Sequence, residues 1–265
     1  STQGYSSAAS DVYKRQDNEK TASTRTQKVL FIEPHADDCV LSIGGTILFL
    51  QQKGFDVLCY CIFNKGGPLE EIRYQESIMA WEKILNSKIK FADFFDYPFR
   101  KQDKLSYLKT YHSISKAVIK IISEEEPEFV IGPMGIGDHT DHVIVNQTLI
   151  NLKEKHDFTL YLYEDFPYAN QEKYYFIQTL DMLRKKTGLS PFYIDITELL
   201  KDKVSLNIAY RSQYENSIDE MMDKFTRYGK ALGLEGIYMN RLLDRERYYE
   251  RIWHVSKNKL KDTVL

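Results

Sequence analysis

The sequence has 265 residues, of which 43% are hydrophobic and 28% are charged, a balance typical of a globular protein with a substantial core. It contains 36 Lys and Arg residues and 38 Asp and Glu residues, so the formal net charge is −2. This balance argues against electrostatic binding to nucleic acid or to an anionic membrane as the main activity. No apolar run reaches the roughly 20 residues of a membrane-spanning helix, so no transmembrane segment is expected.

Cysteine usage bears on the cellular compartment. Three cysteines, Cys39, Cys59 and Cys61, are too few for a disulfide scaffold and are predicted to be buried free thiols, as expected in a reducing cytosol. The first residues contain no apolar stretch of the signal-peptide type. A cytoplasmic location is therefore expected. Homo-oligomers are left open by the sequence.

The chain divides into a polar arm and an alternating pattern of strands and helices. Residues 1–27 lack any helical or strand periodicity and are expected to be a disordered arm or a cloning remnant. Beyond them, short apolar runs predict five strands, at 28–34, 55–64, 88–95, 129–134 and 159–165. Helical patterns lie between them at 41–54, 70–85, 104–126 and 142–155. This alternation predicts an α/β fold: a Rossmann-like, doubly wound, mostly parallel sheet with helices on both faces.

The pattern changes after Asn170, and residues 170–265 are expected to form a C-terminal helical cover on the 28–169 core, within one domain spanning 28–265. A Met and aromatic stripe supports this by its helical spacing, which is typical of core packing: Ile218, Met221, Met222, Phe225 and Tyr228. The charge run at 245–251 is typical of a solvated helix face, from which Glu250 could reach the site.

Two motifs rich in histidine and aspartate directly follow predicted strands 1 and 4. The first is Pro34-His35-Ala36-Asp37-Asp38, and the second is Gly137-Asp138-His139-Thr140-Asp141-His142. Doubly wound sheets bind ligands at the carboxyl ends of the strands, where the strand order reverses, and strand 1 commonly lies there beside strand 4 or strand 3. Both motifs are therefore expected at one site.

These residue types suit a divalent metal ion. Catalytic zinc takes three nitrogen or oxygen ligands and keeps an open position for water, whose pKa falls towards 7. Two histidines and one carboxylate would serve, and another carboxylate could then accept a proton from the water. Ferrous iron or cobalt would fit the same ligands. The alternative is that Asp37, Asp38 or Asp138 caps a helix, which explains single residues better than both motifs together.

The same residues resemble a known family. PHADD at 34–38 is similar to the (P/A)H-x-DD motif of the LmbE-like, PIG-L-type N-deacetylases, and HTDH at 139–142 is similar to their H-x-D-H motif. Weaker similarities lie in Ser42–Thr46, in Arg73 and Glu76 of an R-x-x-E pattern, and in residues 209–213. The resemblance covers about residues 28–255.

The resemblance implies a zinc-dependent hydrolase that removes the acetyl group from an N-acetylglucosamine-type amino sugar or its small-molecule conjugate. The metal ligands that it implies by position are His35, Asp38 and His142. Asp37 would be the general base, and His139 would stabilise the oxyanion or protonate the leaving amine. Asp141 would hold and charge His139.

Three positions depart from the family pattern. Cys39 stands where an acidic residue is common, residues 135–138 lack a tyrosine that several members carry there, and Tyr97–Arg100 replaces a common Asp-Gly pair. These differences favour an unusual substrate. They also motivate a second hypothesis, a glycan-binding protein on a degenerate scaffold, while a third is a metallohydrolase of a different amide or ester.

Arg73 is a candidate substrate-binding residue, because its guanidinium offers a fork of hydrogen-bond donors. The alternative is an ion pair with Glu70 or Glu76 on the same predicted helix.

Overall fold

The computed structural model describes residues 27–137, 139–171, 173–213, 218–238, 243–244 and 246–256, so the expectation for the arm at 1–26 lies outside it. The strands are β1 (Lys28–Glu33), β2 (Asp56–Lys65), β3 (Lys88–Phe95), β4 (Phe129–Pro133), β5 (Thr159–Tyr163), β6 (Gly188–Asp195) and β7 (Tyr249–Ser256). The α-helices are α1 (Asp38–Gln52), α2 (Glu70–Ile78), α3 (Lys104–Glu125), α4 (Thr140–Lys155), α5 (Tyr168–Gln171), α6 (Lys173–Lys186), α7 (Leu200–Asn207) and α8 (Ile218–Tyr238). A π-helical turn, Met79–Ile84, extends α2.

Within the described residues, one sheet runs in the order β3-β2-β1-β4-β5-β7-β6. Strands β1 to β5 are parallel, and β7 pairs antiparallel with both β5 and β6. This confirms the predicted doubly wound, mostly parallel α/β fold. Because the chain reverses its direction of winding between β1 and β4, a crevice is expected at the carboxyl ends of these two strands.

Strand β1 shows why the sheet is covered on both faces. Residues Val29–Ile32 alternate in direction, and all four are apolar and fully buried. Leu30 and Ile32 pack in a cluster with α3 and α4, whereas Val29 and Phe31 pack in a cluster with α1. A central strand of this kind is rigid, so the loop that follows it is held firmly at the crevice.

The C-terminal segment differs from the expected helical cover. Its helices pack on the core, and Met221 and Phe225 of the predicted stripe are buried, which confirms their packing role. However, the segment also contributes β6 and β7. Glu250 and Arg251 lie in β7 and are 3% exposed each, so the interpretation of the charge run as a solvated helix face is wrong for Tyr249–Arg251. Residue 245 lies outside the described residues.

Buried ion pairs explain this error. Arg251 donates from Nε to Glu164 at the end of β5, and the carboxylate of Glu164 also accepts from Trp253 Nε1 at 2.7 Å. Charged residues enter a core only when they are paired, and the pairing depends on chain segments far away in sequence. The sequence pattern alone therefore hides this strand.

Helix α1 is broken at Ile43, whose φ of −134° and ψ of 32° are not helical. Glu250 caps the amides that the break leaves unpaired: Oε1 accepts from Gly45 N at 3.1 Å and Oε2 accepts from Thr46 N at 2.6 Å. Lys203 pairs with the same carboxylate at 2.7 Å and is itself 3% exposed. Glu250 thus has a structural role in the fold.

The three cysteines are free and buried, as expected. Among the helices of the described ranges, none combines the length and the apolar character needed to cross a membrane.

Candidate metal centre

Two short connections bring three histidines together at the crevice. His35 lies between β1 and α1, His139 precedes the first residue of α4, and His142 lies in the first turn of α4. One ring nitrogen from each of the three lies within 4.8 Å of the others. The expected meeting of the two motifs is therefore present in the fold.

Asp38 completes a compact group of potential ligands. Its Oδ2 lies 3.4 Å from His35 Nδ1 and 3.3 Å from His142 Nε2. Ligand atoms around a tetrahedral zinc ion at 2.0–2.1 Å are separated by about 3.3–3.4 Å. The spacing of these atoms thus fits one divalent ion.

The outer nitrogens of two rings are held by carboxylates. His35 Nε2 lies 3.0 Å from Asp141 Oδ2, and His142 Nδ1 lies 2.6 Å from Asp165 Oδ1. A carboxylate only accepts hydrogen bonds, so we assign the ring protons of neutral imidazoles to these outer nitrogens. In the neutral, metal-binding form the lone pairs would then lie on the inner nitrogens, which is the arrangement found around metal-binding histidines.

The electrostatics show the same concentration of negative charge. Burial lowers the pKa of His35, but hydrogen bonds with Asp141 and Asp38 outweigh it and raise the pKa to about 10. Burial also opposes a charge on His142, yet Asp38 and Asp165 raise its pKa above the usual value. Burial raises the pKa of Asp38, while His142 and His35 lower it well below its ordinary range. A bound cation would balance these carboxylates.

Asp141 takes a different position from the expected one beside His139. It is fully buried, and its Oδ2 accepts from Tyr97 N at 2.9 Å as well as bonding His35. Its Oδ1 accepts from Arg100 Nη2. Both oxygens are therefore engaged by groups other than His139, and Asp141 holds His35.

His139 stands at the open side of the group. Its ring centroid lies 5.0 Å from that of His35 and 5.1 Å from that of His142. In the part of the chain that the structure describes, its buried Nδ1 has no hydrogen-bond partner. Burial lowers the pKa of His139 to about 4, with His35 and His142 acting in the same direction.

The capping alternative fails for the first motif. Asp37 occupies the N-cap position of α1, but its side chain makes no capping hydrogen bond. Asp38 Oδ2 instead accepts from His35 N at 2.7 Å. The amide of Cys39 donates to Glu33 Oε2 at 3.2 Å, so a carboxylate from β1 serves the helix start. Asp138 lies outside the described residues.

Arg73 lies beside the first motif. Its Nη1 is 3.3 Å from Asp96 Oδ2, and its Nη2 is 3.8 Å from Asp37 Oδ1. The expected alternative partners bind elsewhere: Glu70 accepts from Gly66 N, and Glu76 accepts from Ser212. The guanidinium therefore lies next to the carboxylate expected to be the base.

Asp165 is the site residue that sequence reasoning missed. Its Oδ1 holds His142, while its Oδ2 accepts from Gly135 N at 2.8 Å and Ile136 N at 3.0 Å in the loop before the second motif. The available signal was an acidic pair, Glu164 and Asp165, at the carboxyl end of a predicted strand. Only the pairing of β5 with β4 shows that this end lies at the crevice.

Family comparison agrees with this geometry. Residues 30–153 match the model of the family PIG-L: GlcNAc-PI de-N-acetylase. This segment contains both motifs, most of β1 and all of β2 to β4. The match is to the same family that the two motifs resemble.

Two characterised proteins and one solved structure are similar over most of the chain. Diacetylchitobiose deacetylase of Thermococcus kodakarensis is 24% identical over 230 residues, covering 78% of this chain and 79% of that protein. The 2'-N-acetylparomamine deacetylase of Streptomyces fradiae is 23% identical over 226 residues, covering 78% of this chain and 79% of that protein. The zinc-inhibited form of teicoplanin deacetylase Orf2 has a TM-score of 0.72 at 20% identity, covering 88% of this chain and 99% of the other. At this identity the structural likeness shows the shared fold.

Proposed function

We propose that the protein is a zinc-dependent hydrolase that removes the N-acetyl group from an N-acetylglucosamine-type amino sugar or its conjugate. The observation that carries the proposal is the convergence of His35 Nδ1, Asp38 Oδ2 and His142 Nε2 at ligand spacing. The two characterised relatives are named for the deacetylation of N-acetylated amino sugars, which supports the substrate class.

The ligand set would be His35, Asp38 and His142, a nitrogen and oxygen set that suits zinc and also accepts ferrous iron or cobalt. When bound, such an ion polarises an amide carbonyl and lowers the pKa of water. The protein residues prepare for this by fixing the tautomers: Asp141 and Asp165 hold the outer ring nitrogens.

Asp37 is the proposed general base. It lies between the proposed ligands His35 and Asp38 in the sequence, and its carboxylate makes no capping hydrogen bond to helix α1. It would accept the proton of the attacking water. Nη2 of Arg73 lies 3.8 Å from Oδ1 of this carboxylate, and the guanidinium has further donors for polar groups of the substrate. We propose it as the substrate-binding residue.

His139 is proposed to act on the other side of the scissile amide. An amide needs stabilisation of the developing oxyanion and a proton for the departing amine. The ring of His139 lies at the open side of the centre, next to both histidine ligands. It could therefore donate to the oxyanion or protonate the amine.

We also propose that residues 28–265 act as one domain in the cytoplasm. One sheet joins the 28–169 core to the C-terminal segment through the pairing of β5 with β7. The three buried free thiols support a reducing compartment.

The test combines metal analysis with acetate release. The purified full chain is analysed for metal before and after zinc reconstitution and is assayed on N-acetylglucosamine, N,N'-diacetylchitobiose and a panel of other N-acyl sugars. We expect about one divalent ion per chain. Asp37→Asn should keep this ion but lose at least about 100-fold in kcat, the scale of a lost general base.

The outcomes separate the three hypotheses. Tight sugar binding by the metal-loaded protein without turnover would support a glycan-binding protein. Faster cleavage of another acyl group than of N-acetyl would support a hydrolase of a different amide. A chain that holds no metal under either condition would refute the proposed centre.

A further inference from the structure

Resting on the proposed function, we infer that Arg100 is a positioning residue that acts through Asp141 to orient His35 in the metal centre. The three side chains come from three separate places: Arg100 follows β3, Asp141 lies in the first turn of α4, and His35 follows β1. None of them reaches another along the chain, so their contacts depend on the fold.

Both carboxylate oxygens of Asp141 are hydrogen-bonded. Its side chain has no exposed surface, and its two oxygens bind His35 Nε2, the amide of Tyr97 and the guanidinium of Arg100. A buried carboxylate is unfavourable unless it is paired, and the guanidinium of Arg100 supplies this partner for Asp141.

Arg100 is itself fixed by the protein. Its Nη1 donates to Phe95 O at 2.8 Å, its Nη2 donates to Asp141, and its guanidinium carbon lies 4.7 Å from the centroid of the Phe63 ring. The side chain is 12% exposed. The guanidinium is thus held in one orientation by stacking and by hydrogen bonds, as its planar geometry allows.

The contact of Arg100 with Asp141 determines which nitrogen of His35 faces Asp38. With Nε2 bonded to Asp141, Nδ1 is directed towards Asp38 Oδ2, 3.4 Å away. Without Arg100, the Asp141 carboxylate would lose its charge partner, and the ring would lose a fixed hydrogen-bond acceptor. The predicted consequence is a weaker and less uniform metal site.

This inference also gives a role to an unusual segment. Tyr97–Arg100 stands where the motif resemblance leads us to expect an Asp-Gly pair, and this difference suggested a change in substrate contacts. The structure shows that both ends of the segment contact Asp141, through the amide of Tyr97 and the side chain of Arg100. The segment therefore holds Asp141, which in turn holds the proposed metal ligand His35.

The test measures metal affinity directly. Zinc is removed from the full-length protein and restored in competition with a chromophoric chelator, and the visible absorption of the cobalt-loaded protein is recorded. We expect Arg100→Gln and Arg100→Ala to weaken zinc binding by about 10–100-fold, the usual effect of losing an outer partner of a ligand. The cobalt bands should also broaden or shift. Arg100→Lys should restore part of the affinity, because it keeps the charge without the fork.

Two further variants sharpen the test. Lys101→Ala removes a neighbouring exposed positive charge and serves as the matched control, with zinc affinity expected within about twofold of the parent. Asp141→Asn should resemble Arg100→Gln, and the double variant should be little worse than either, because both lie in one chain of contacts.

The inference is overturned if the folded Arg100 variants keep the parent's zinc affinity and cobalt spectrum. A higher KM with unchanged metal binding would likewise overturn it and would make Arg100 a substrate contact. If the unaltered protein takes up no metal at all, the proposed function fails as well. Circular dichroism identifies variants that fail to fold, and Arg100→Lys then decides the question.

Discussion

Nδ1 of His142 lies 2.6 Å from Oδ1 of Asp165, across the ends of two neighbouring strands. The other oxygen of the same carboxylate accepts from the amides of Gly135 and Ile136. One buried side chain therefore orients a candidate metal ligand and fixes the loop that leads to His139.

We predict that Asp165→Asn weakens zinc affinity by about 10–100-fold, because His142 loses the carboxylate that fixes its tautomer. Competition with a chromophoric chelator measures the effect. Asp195→Asn is a matched control, since Asp195 is an aspartate outside the centre that bonds Thr197 and Arg247. Unchanged zinc affinity in a folded Asp165→Asn variant would contradict this assignment.

We predict that Gly137→Ala destabilises the protein by about 1–3 kcal/mol, since left-handed backbone and overpacking both disfavour a side chain there. The φ of Gly137 is +89°, and an added Cβ would lie 2.8 Å from Cγ of Tyr168. Urea denaturation measures the change. Gly54→Ala is the control: its φ is +86°, but within the described ranges no atom beyond the two chain neighbours lies within 4 Å of the added Cβ, so it isolates the backbone strain.

We predict that Glu250→Ala costs about 3–5 kcal/mol, the range for breaking a buried ion pair by removing one partner. Lys203 would remain buried without its charge partner, and the amides of Gly45 and Thr46 would lose their acceptor. The free energy of unfolding in urea tests this.

A double variant separates the two contributions. Lys203→Met in the Glu250→Ala background should recover only part of the loss, because the amides at the break in α1 stay unsatisfied. Asp223→Ala, which removes an exposed pair with Arg227, should change stability by less than about 0.5 kcal/mol. Full recovery in the double variant would show that the amides contribute little.

We predict a pH-dependent contribution from Glu125. Hydrogen bonds with Lys28 and Lys90 lower the pKa of this carboxyl below its usual 4.5. A lowered folded-state pKa stabilises the protein above the unfolded value, and this stabilisation is lost as the pH falls through the folded value. Glu125→Gln should therefore cost about 1 kcal/mol at neutral pH. The cost should disappear in acid.

Urea titrations from neutral pH to about pH 3 measure this difference. Glu124→Gln is the neighbouring control, because that side chain is half exposed and contacts only Lys120 at 3.7 Å among the ion pairs of the described residues. A Glu125→Gln cost that stays constant with pH would exclude the charge as its cause.

The α/β core was predictable because its strands are continuous apolar runs. Residues such as Val29–Ile32 have no polar face to interrupt the pattern, since helices cover both sides. Strand β7 was not predictable, because Glu250 and Arg251 are buried against partners that only the folded chain supplies. Strand β6 contains Pro191 and, among the described strands, pairs only with β7, so its pattern is weak as well.

The candidate centre was predictable where the residues lie in short motifs at the ends of strands. His35, Asp38 and His142 are brought together as the strand order requires. The residues that hold these side chains could not be predicted. Asp165 contacts His142 from the end of β5, and Arg100 contacts Asp141 from the segment after β3. The position of Asp141 shows the same limit: it lies two residues from His139, yet it bonds His35, which is 106 residues away.

The hydrogen bonds from Glu250 to the broken helix α1 also constrain the order in which parts of the protein can fold. Chains emerge from the ribosome with the N-terminal part first, so β1 to β5 can pair before residue 250 exists. The amides of Gly45 and Thr46 find their acceptor only after Glu250 has been synthesised. Strand β6 joins the sheet only after β7, because β7 lies between β6 and β5. The helix that carries Asp38 is therefore completed only after residue 250 has been synthesised.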